Sequence, residues 1–468
     1  MTDKTIDFTK DLQSNGFVDR QALNPDLNKS VCLYPFVQLS TMPSGFIRPC
    51  CYYLNDHLLD DDGERATIER SDLAKVWNGN HLKSIRKGMA EGRLISGCVQ
   101  CHREEAAGKT SMRHRSFEQW GNRSDVMSAV EASSRKDFEM DRAPYFLELK
   151  PGNLCNLKCR MCNQYDSSQI AKELRQLATQ YPEIDVRYQS RLGEDPWPPG
   201  TDLYVENMPD WENATDFWRQ IETWLPFVET LSFAGGEPTL LESVHRILNR
   251  CIETGQSEKM SIFLASNFTN VRQKLIDIAP RFKKFEFIAS IDGFGPIQEY
   301  IRHPSKWQAV SENFNRVKAH QDGKVVKVLA NVTIQMNNIL HFTDLLRWID
   351  EQDLAPPEFW QWPYALNVLF YPRYLCIEFL PPSLRPIAMQ RISHYMSTSH
   401  ILKRWPLMRE RLEFILSMLE KPLPDDYEYH QRKFREVTGM LDKHRGESLA
   451  TVDPDLFRAF FAHPGAAQ

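Results

Sequence analysis

Short apolar runs recur through the middle of the chain, at residues 145–149, 228–234, 261–264, 285–289, 325–330 and 366–370, each bounded by turn-forming residues. Between them, apolar positions return at helical spacing over Ser167–Thr179, Ala214–Trp224, Leu241–Thr254, Val271–Ile278, Trp307–Lys318 and Phe342–Gln352. Short runs separated by amphipathic helices predict βα units around a parallel sheet, an α/β fold. Such sheets do their chemistry past the carboxyl ends of the strands.

The flanks read differently. Phe36–Leu39, a Pro43-Ser44-Gly45 turn and Phe46–Arg48 predict a β-hairpin near the amino end. It would bring Cys32 towards Cys50 and Cys51, and a Cys98-x2-Cys101 turn follows. Beyond residue 383 the pattern is helical, as in Phe414, Ile415, Met418 and Leu419, and predicts packing helices. Residues 185–213, rich in Pro, Trp and acidic side chains, are too irregular for one helix; they read as a lid or as a surface excursion.

Chemistry concentrates behind the first apolar run, where ELKPGNLCNLKCRMC sets Cys155, Cys159 and Cys162 in a C-x3-C-x2-C loop. Three thiolates can hold three irons of a cubane cluster and leave the fourth iron open to another ligand. The spacing is not that of a paired zinc knuckle or a thioredoxin motif. Four strand ends downstream carry small polar groups: Gly235-Gly236-Glu237-Pro238, Ser266-Asn267, Ser290-Ile291-Asp292-Gly293 and Asn331-Val332-Thr333. Adjacent glycines let a backbone approach a ligand closely.

Together these motifs resemble those of radical S-adenosylmethionine (SAM) enzymes. The resemblance implies a partial (β/α)6 TIM-like barrel over residues 142–375, with a [4Fe-4S] cluster on Cys155, Cys159 and Cys162. Gly235, Gly236, Glu237 and Pro238 would meet the methionine amino group, and Ser290, Asp292, Asn267, Arg302 and Val332 would complete the SAM pocket. Met161 stands where the family often has an aromatic against adenine, with Tyr165 as a nearby substitute. The implied activity is reductive cleavage of SAM to a 5′-deoxyadenosyl radical that abstracts hydrogen from an unactivated C–H bond. An external one-electron donor such as flavodoxin or ferredoxin is then required.

Four thiolates in two pairs suit zinc or a closed [4Fe-4S] cluster, and composition does not choose between them. The Cys32-x12-Gly45-x4-Cys50 phrase is similar to the opening of SPASM/twitch auxiliary-cluster modules. On that resemblance a second [4Fe-4S] cluster sits on Cys32, Cys50, Cys98 and Cys101 within residues 31–125, with Cys51 competing for the place of Cys50. The small module precedes the core, where the familiar arrangement has it follow. It would accept an electron from a substrate radical, hold the module together, or ligate substrate. Residues 1–30 read as a tail and 383–468 as a mostly helical C-terminal extension, with a familiar Leu441-Asp442-x-x-Arg445-Gly446 phrase of no assigned role. Cys251 and Cys376 read as buried thiols.

Composition narrows the partners. The chain has 468 residues, ten cysteines and a formal net charge of -5, which argues against a nucleic-acid partner needing a broad basic surface. No apolar stretch reaches membrane-spanning length and Met1–Leu23 has no signal-peptide core, so a cytoplasmic protein with metal- or cluster-binding cysteines is expected. The compact single-cluster form resembles the twitch domain of dehydrogenating enzymes, which implies oxidation of a small molecule such as a sugar, cyclitol or amino-acid derivative. The alternative is modification of a ribosomally made peptide; a non-catalytic iron–sulfur scaffold or electron carrier is a third reading.

Overall fold

The structure, a computed structural model, describes residues 31–53, 57–106, 110–182, 208–354 and 364–461. The expected tail over residues 1–30, and residues 185–207 of the expected lid, lie outside the described residues. The architecture is a mixed, open β-sheet with flanking helices and a helical C-terminal extension. The chain forms two compact units. The first draws on Met1–Gly152, Met208–Gly235 and Leu241–Ile262, and the second on Asn153–Asn207, Gly236–Leu240 and Phe263–Gln468.

In the first unit the strands lie in the order β2-β1-β3-β4, with β1 Gln38–Thr41, β2 Ile47–Arg48, β3 Phe146–Leu149 and β4 Thr230–Phe233. The hairpin is present, β1 pairing antiparallel with β2 through Ser40↔Arg48 and Thr41↔Ile47. It begins later than its apolar pattern predicts, because Tyr34–Val37 form a helical turn with Pro35 in its first turn. Proline's fixed φ suits that position. The other edge of β1 pairs in parallel with β3, Gln38↔Phe146, so the hairpin extends a sheet rather than standing alone. Strand β4 continues in parallel, Phe146↔Thr230. Among the helices, Met112–Trp120 starts at a capping box in which the Ser111 hydroxyl accepts from the His114 N–H.

In the second unit the order is β5-β6-β7-β8. Strand β5, Ser261–Ser266, begins in the first unit and ends here, followed by β6 Lys284–Ser290, β7 Val326–Ile334 and β8 Tyr364–Val368. Strands β6 and β7 are parallel (Glu286↔Lys327, Ser290↔Asn331), as are β7 and β8 (Val332↔Leu366). The first five residues of β7 are all buried, as expected of a parallel strand covered on both faces. The last apolar run extended to Phe370, but that side chain is 46% exposed and the strand starts earlier, at the buried Tyr364. Helices Ser168–Gln180, Trp307–Lys318 and Phe342–Asp350 lie within two residues of their expected bounds. Beyond them Arg385–Thr398, Pro406–Leu419, Tyr427–Arg445 and Pro454–Phe461 make the extension. Among the described residues, no helix is long and apolar enough to cross a membrane.

Candidate functional site

The second unit holds the cysteine loop. Cys155, Leu157 and Cys159 pack as one buried cluster, with Met161 and Cys162 against it, and Cys162 also touches Ile170 and Leu174. Backbone bonds fix the loop from both sides. The Lys158 N–H donates to the His303 carbonyl at 2.6 Å and the Arg160 N–H to the Ile301 carbonyl at 2.8 Å. The Ser167 hydroxyl closes the loop on the Leu157 carbonyl at 2.7 Å while its oxygen caps the following helix at Ile170.

The loop sits directly on the Gly-Gly-Glu-Pro turn. The Glu237 N–H donates to the Leu154 carbonyl at 2.8 Å. Gly236 has φ +46, and a Cβ there would stand 2.6 Å from the Leu154 oxygen. Only glycine allows that approach. Asn267 adds a tie, its side-chain amide donating to the Asn156 side-chain oxygen at 2.9 Å.

The two acidic residues assigned from sequence turn towards the protein. The Glu237 carboxylate is buried; it accepts from the Asn267 N–H at 2.7 Å and from the Thr239 hydroxyl at 2.7 Å. Burial raises its pKa above the usual range against those hydrogen bonds. Asp292 is fully buried; it accepts from the Thr333 N–H at 2.7 Å and from Arg302 Nε at 2.6 Å. The other end of that guanidinium faces the cysteine loop, with Nη1 3.9 Å from Cys159 Sγ. Burial works against the Arg302 charge, yet Asp292 and the Cys159 sulfur hold its pKa above the usual value. Ser290, at the end of β6, is half-buried, and Val332 is wholly buried, so backbone is what it presents at the strand end. Pro238 opens a short helical turn, Pro238–Leu240; Met161 is half-buried beside the thiols and Tyr165 is half-buried.

Burial pushes the Cys155 thiol up to about 12 and raises Cys159 and Cys162, with neighbouring thiols adding to the rise at Cys155 and Cys162. Thiols whose ionised forms are penalised by burial ask for a compensating positive charge before they can act as thiolates. Among the described residues, no three Cys, His, Asp or Glu side chains close around one point tightly enough to hold a single ion. A donor set of three sulfurs on one loop beside a buried arginine fits a cluster with one open iron better than a mononuclear ion.

The first unit gathers the other cysteines. Cys32, Cys50, Cys98 and Cys101 line one small cavity together with Tyr53, Met89 and Arg113, whereas Cys51 does not line it. Burial raises all four thiols, Cys101 to about 12, and each is raised further by at least one acidic or thiol neighbour. Cys32 Sγ also lies 3.6 Å from the Ser116 hydroxyl. The sequence reading missed Arg113, buried beside this cavity and forked onto Glu105 at 2.9 and 2.6 Å. It also missed Arg160, which lies inside the cysteine loop. Cys251 and Cys376 are buried as expected.

No family model matches the chain, and no curated sequence is similar to it. Among solved structures it is similar to native anSMEcpe with bound AdoMet, at 16% identity and a TM-score of 0.35, over 54% of this chain and 60% of that one. It is also similar to SuiB of Streptococcus suis bound to S-adenosylmethionine, at 12% identity and a TM-score of 0.36, over 72% of this chain and 66% of that one. The same enzyme bound to its precursor peptide SuiA gives 12% identity and a TM-score of 0.36, over 74% and 70%. The chain thus spans 60% of the length of the first of these.

Proposed function

We propose that this chain is a radical SAM enzyme. The observation that carries the reading is the buried loop of Cys155, Cys159 and Cys162, seated on the Gly236-Glu237 backbone with the Arg302 guanidinium against Cys159. Those three thiols would hold a [4Fe-4S] cluster, whose chemistry when SAM is bound is one-electron cleavage of the sulfonium to a hydrogen-abstracting carbon radical. Gly235, Gly236 and Pro238, the backbone of Val332, the half-buried Ser290 and Met161 would face SAM. Glu237, Asn267 and Asp292 act one step back: they hold the strand-end loops and the arginine in place. Arg302 supplies fixed positive charge beside the sulfurs, in a setting where burial makes that charge count for more than in water. In the first unit, Cys32, Cys50, Cys98 and Cys101 would hold a second cluster, supported by the single cavity they line.

The substrate is either a peptide or a small molecule. The similar SuiB structure holds its precursor peptide, and the peptide reading is the first to test. Electrons would come from a flavodoxin- or ferredoxin-like donor. The test is anaerobic reconstitution and reduction followed by an assay for 5′-deoxyadenosine. Wild type should form it, Cys159→Ala should not, and Cys98→Ala should retain it. Iron-loaded wild type that cleaves no SAM would overturn the proposal in favour of a non-catalytic iron–sulfur protein.

A further inference from the structure

Arg160 lies between Cys159 and Met161 and is 2% exposed. A guanidinium buried that deeply needs partners, and its two carboxylate partners lie more than 280 positions away in the chain. Nε donates to the Tyr300 carbonyl at 3.0 Å, and Nη2 donates to Asp442 Oδ1 at 2.6 Å and to Glu447 Oε2 at 2.7 Å. The guanidinium carbon stands 3.6 Å from the centre of the Tyr300 ring, whose hydroxyl donates to the same Asp442 oxygen at 2.8 Å. Glu447 also meets His303 Nδ1 at 2.6 Å, and the His303 carbonyl is the one that receives the Lys158 N–H. A second fork repeats the arrangement: Arg445 grips Glu173 at 3.0 and 2.5 Å, and Lys158 Nζ meets the same carboxylate at 2.9 Å. The contacts of Asp442, Arg445 and Glu447 join the end of helix Tyr427–Arg445, and the turn after it, to Arg160 in the cysteine loop and to Glu173, Tyr300 and His303 beside it.

We infer that Asp442, Arg445 and Glu447 form a C-terminal latch that positions the cysteine loop, with Arg160 as its catch. The inference rests on the reading of Cys155, Cys159 and Cys162 as the SAM cluster site, and it gives the Leu441-Asp442-x-x-Arg445-Gly446 phrase a role. None of these residues touches the reacting atoms. They set where the Cys159 and Cys162 sulfurs stand by fixing the backbone between them, and Arg160 is the residue that the latch reaches. Packing alone would be served by apolar side chains of similar volume. A fork of charged hydrogen bonds fixes direction as well as distance.

The test uses the full-length, cluster-loaded protein and the near-isosteric double variant Asp442→Asn/Glu447→Gln. Amide exchange across residues 155–162 should rise while exchange in the first unit stays at the wild-type level. Iron bound through Cys155, Cys159 and Cys162 should be lost to a chelator at least about tenfold faster, equivalent to about 1.4 kcal/mol of lost hold. The electron paramagnetic resonance change produced by adding SAM to the reduced protein should broaden or vanish. A Tyr300→Phe variant, which keeps Arg160 paired, should lie close to wild type. Wild-type exchange and chelation rates in the double variant would overturn the latch, and so would exchange raised evenly along the chain. If wild type binds no cluster on these cysteines, the enzyme proposal fails while exchange in the apo protein still decides the latch.

Discussion

Replacing Gly236 with alanine tests the seat of the cysteine loop. The added Cβ would lie 2.6 Å from the Leu154 oxygen and 3.1 Å from the Asn153 carbonyl carbon, both backbone atoms that no side-chain rotation can clear. At φ +46 an alanine also pays a left-handed penalty of about 1–2 kcal/mol. Forcing the loop back to relieve the contact adds about 1–3 kcal/mol, the ordinary range for overpacking. The expected loss is therefore about 2–5 kcal/mol, against a stability of order 10 kcal/mol. Gly255→Ala is the comparator: φ is +70 there and nothing lies within 4 Å of the added Cβ, so only the conformational cost applies. Urea unfolding of the two variants separates the contact from the dihedral. Because Leu154 precedes Cys155, Gly236→Ala should also lower iron content and SAM cleavage, which Gly255→Ala should leave alone. The reasoning fails if the two variants lose equal stability and Gly236→Ala keeps full iron and activity.

Three further outcomes are expected. Burial raises the Glu286 carboxyl from 4.5 to about 7, with Lys327 and Lys284 opposing the rise. The folded state thus holds a proton that the unfolded chain has lost, and stability falls as pH rises through that window, by up to about 3 kcal/mol. Glu286→Gln should match wild type near pH 4 and exceed it at pH 8; equal differences in urea melts at both would refute the assignment. Cys50→Ser should lose the iron of the first unit and Cys51→Ser should keep it, measured as iron per chain; the reverse would hand the ligand role to Cys51. Arg302→Met should cost about 3–5 kcal/mol in urea unfolding by stranding the buried Asp292 carboxylate, and Asp292→Leu in the same chain should recover part of it. A single variant as stable as wild type would show that the pair does not hold the site.

What could be read from the sequence was local. Helix Trp307–Lys318 is found at the residues its apolar period predicts, because the period of a buried face depends only on neighbouring positions. The C-x3-C-x2-C spacing is visible in the chain itself for the same reason: it depends only on neighbouring positions. Phe36 and Val37, expected at the start of the hairpin strand, belong instead to the helical turn Tyr34–Val37, where Pro35 competes with apolar alternation. Partners distant in the chain were not legible. Alternation over Phe36–Leu39 points to a hairpin strand there but not to the pairing of its free edge with β3. Arg160 and Asp442 are 282 positions apart, and nothing near either one names the other. The latch is a product of tertiary packing, although the Leu-Asp-x-x-Arg-Gly phrase marked one of its ends.

Glu237 and Asp292 show why motif position and side-chain role separate. A carboxylate buried to 2% or less must be satisfied continuously, since leaving it without donors costs several kcal/mol. A ligand that arrives and leaves cannot be its sole partner. Both residues are accordingly bonded to protein donors, Glu237 to Asn267 and Thr239, Asp292 to Thr333 and Arg302. A residue that faces an exchanging ligand must tolerate water between visits, which intermediate exposure allows, as at Gly235, Gly236, Ser290 and Met161. The same logic divides the arginines. Arg302 and Arg160 are both buried, and each is held by carboxylates of the protein, Asp292 for one and Asp442 with Glu447 for the other. Only Arg302 has a free-standing edge towards a thiol. Charge next to the sulfurs therefore belongs to Arg302, and the geometry of the loop to Arg160. A substitution that keeps charge but loses the fork, Arg160→Lys, should speed the loss of iron to a chelator, whereas Arg302→Lys, which keeps the charge beside the sulfurs, should stay nearer wild type; equal loss in the two would refute this division.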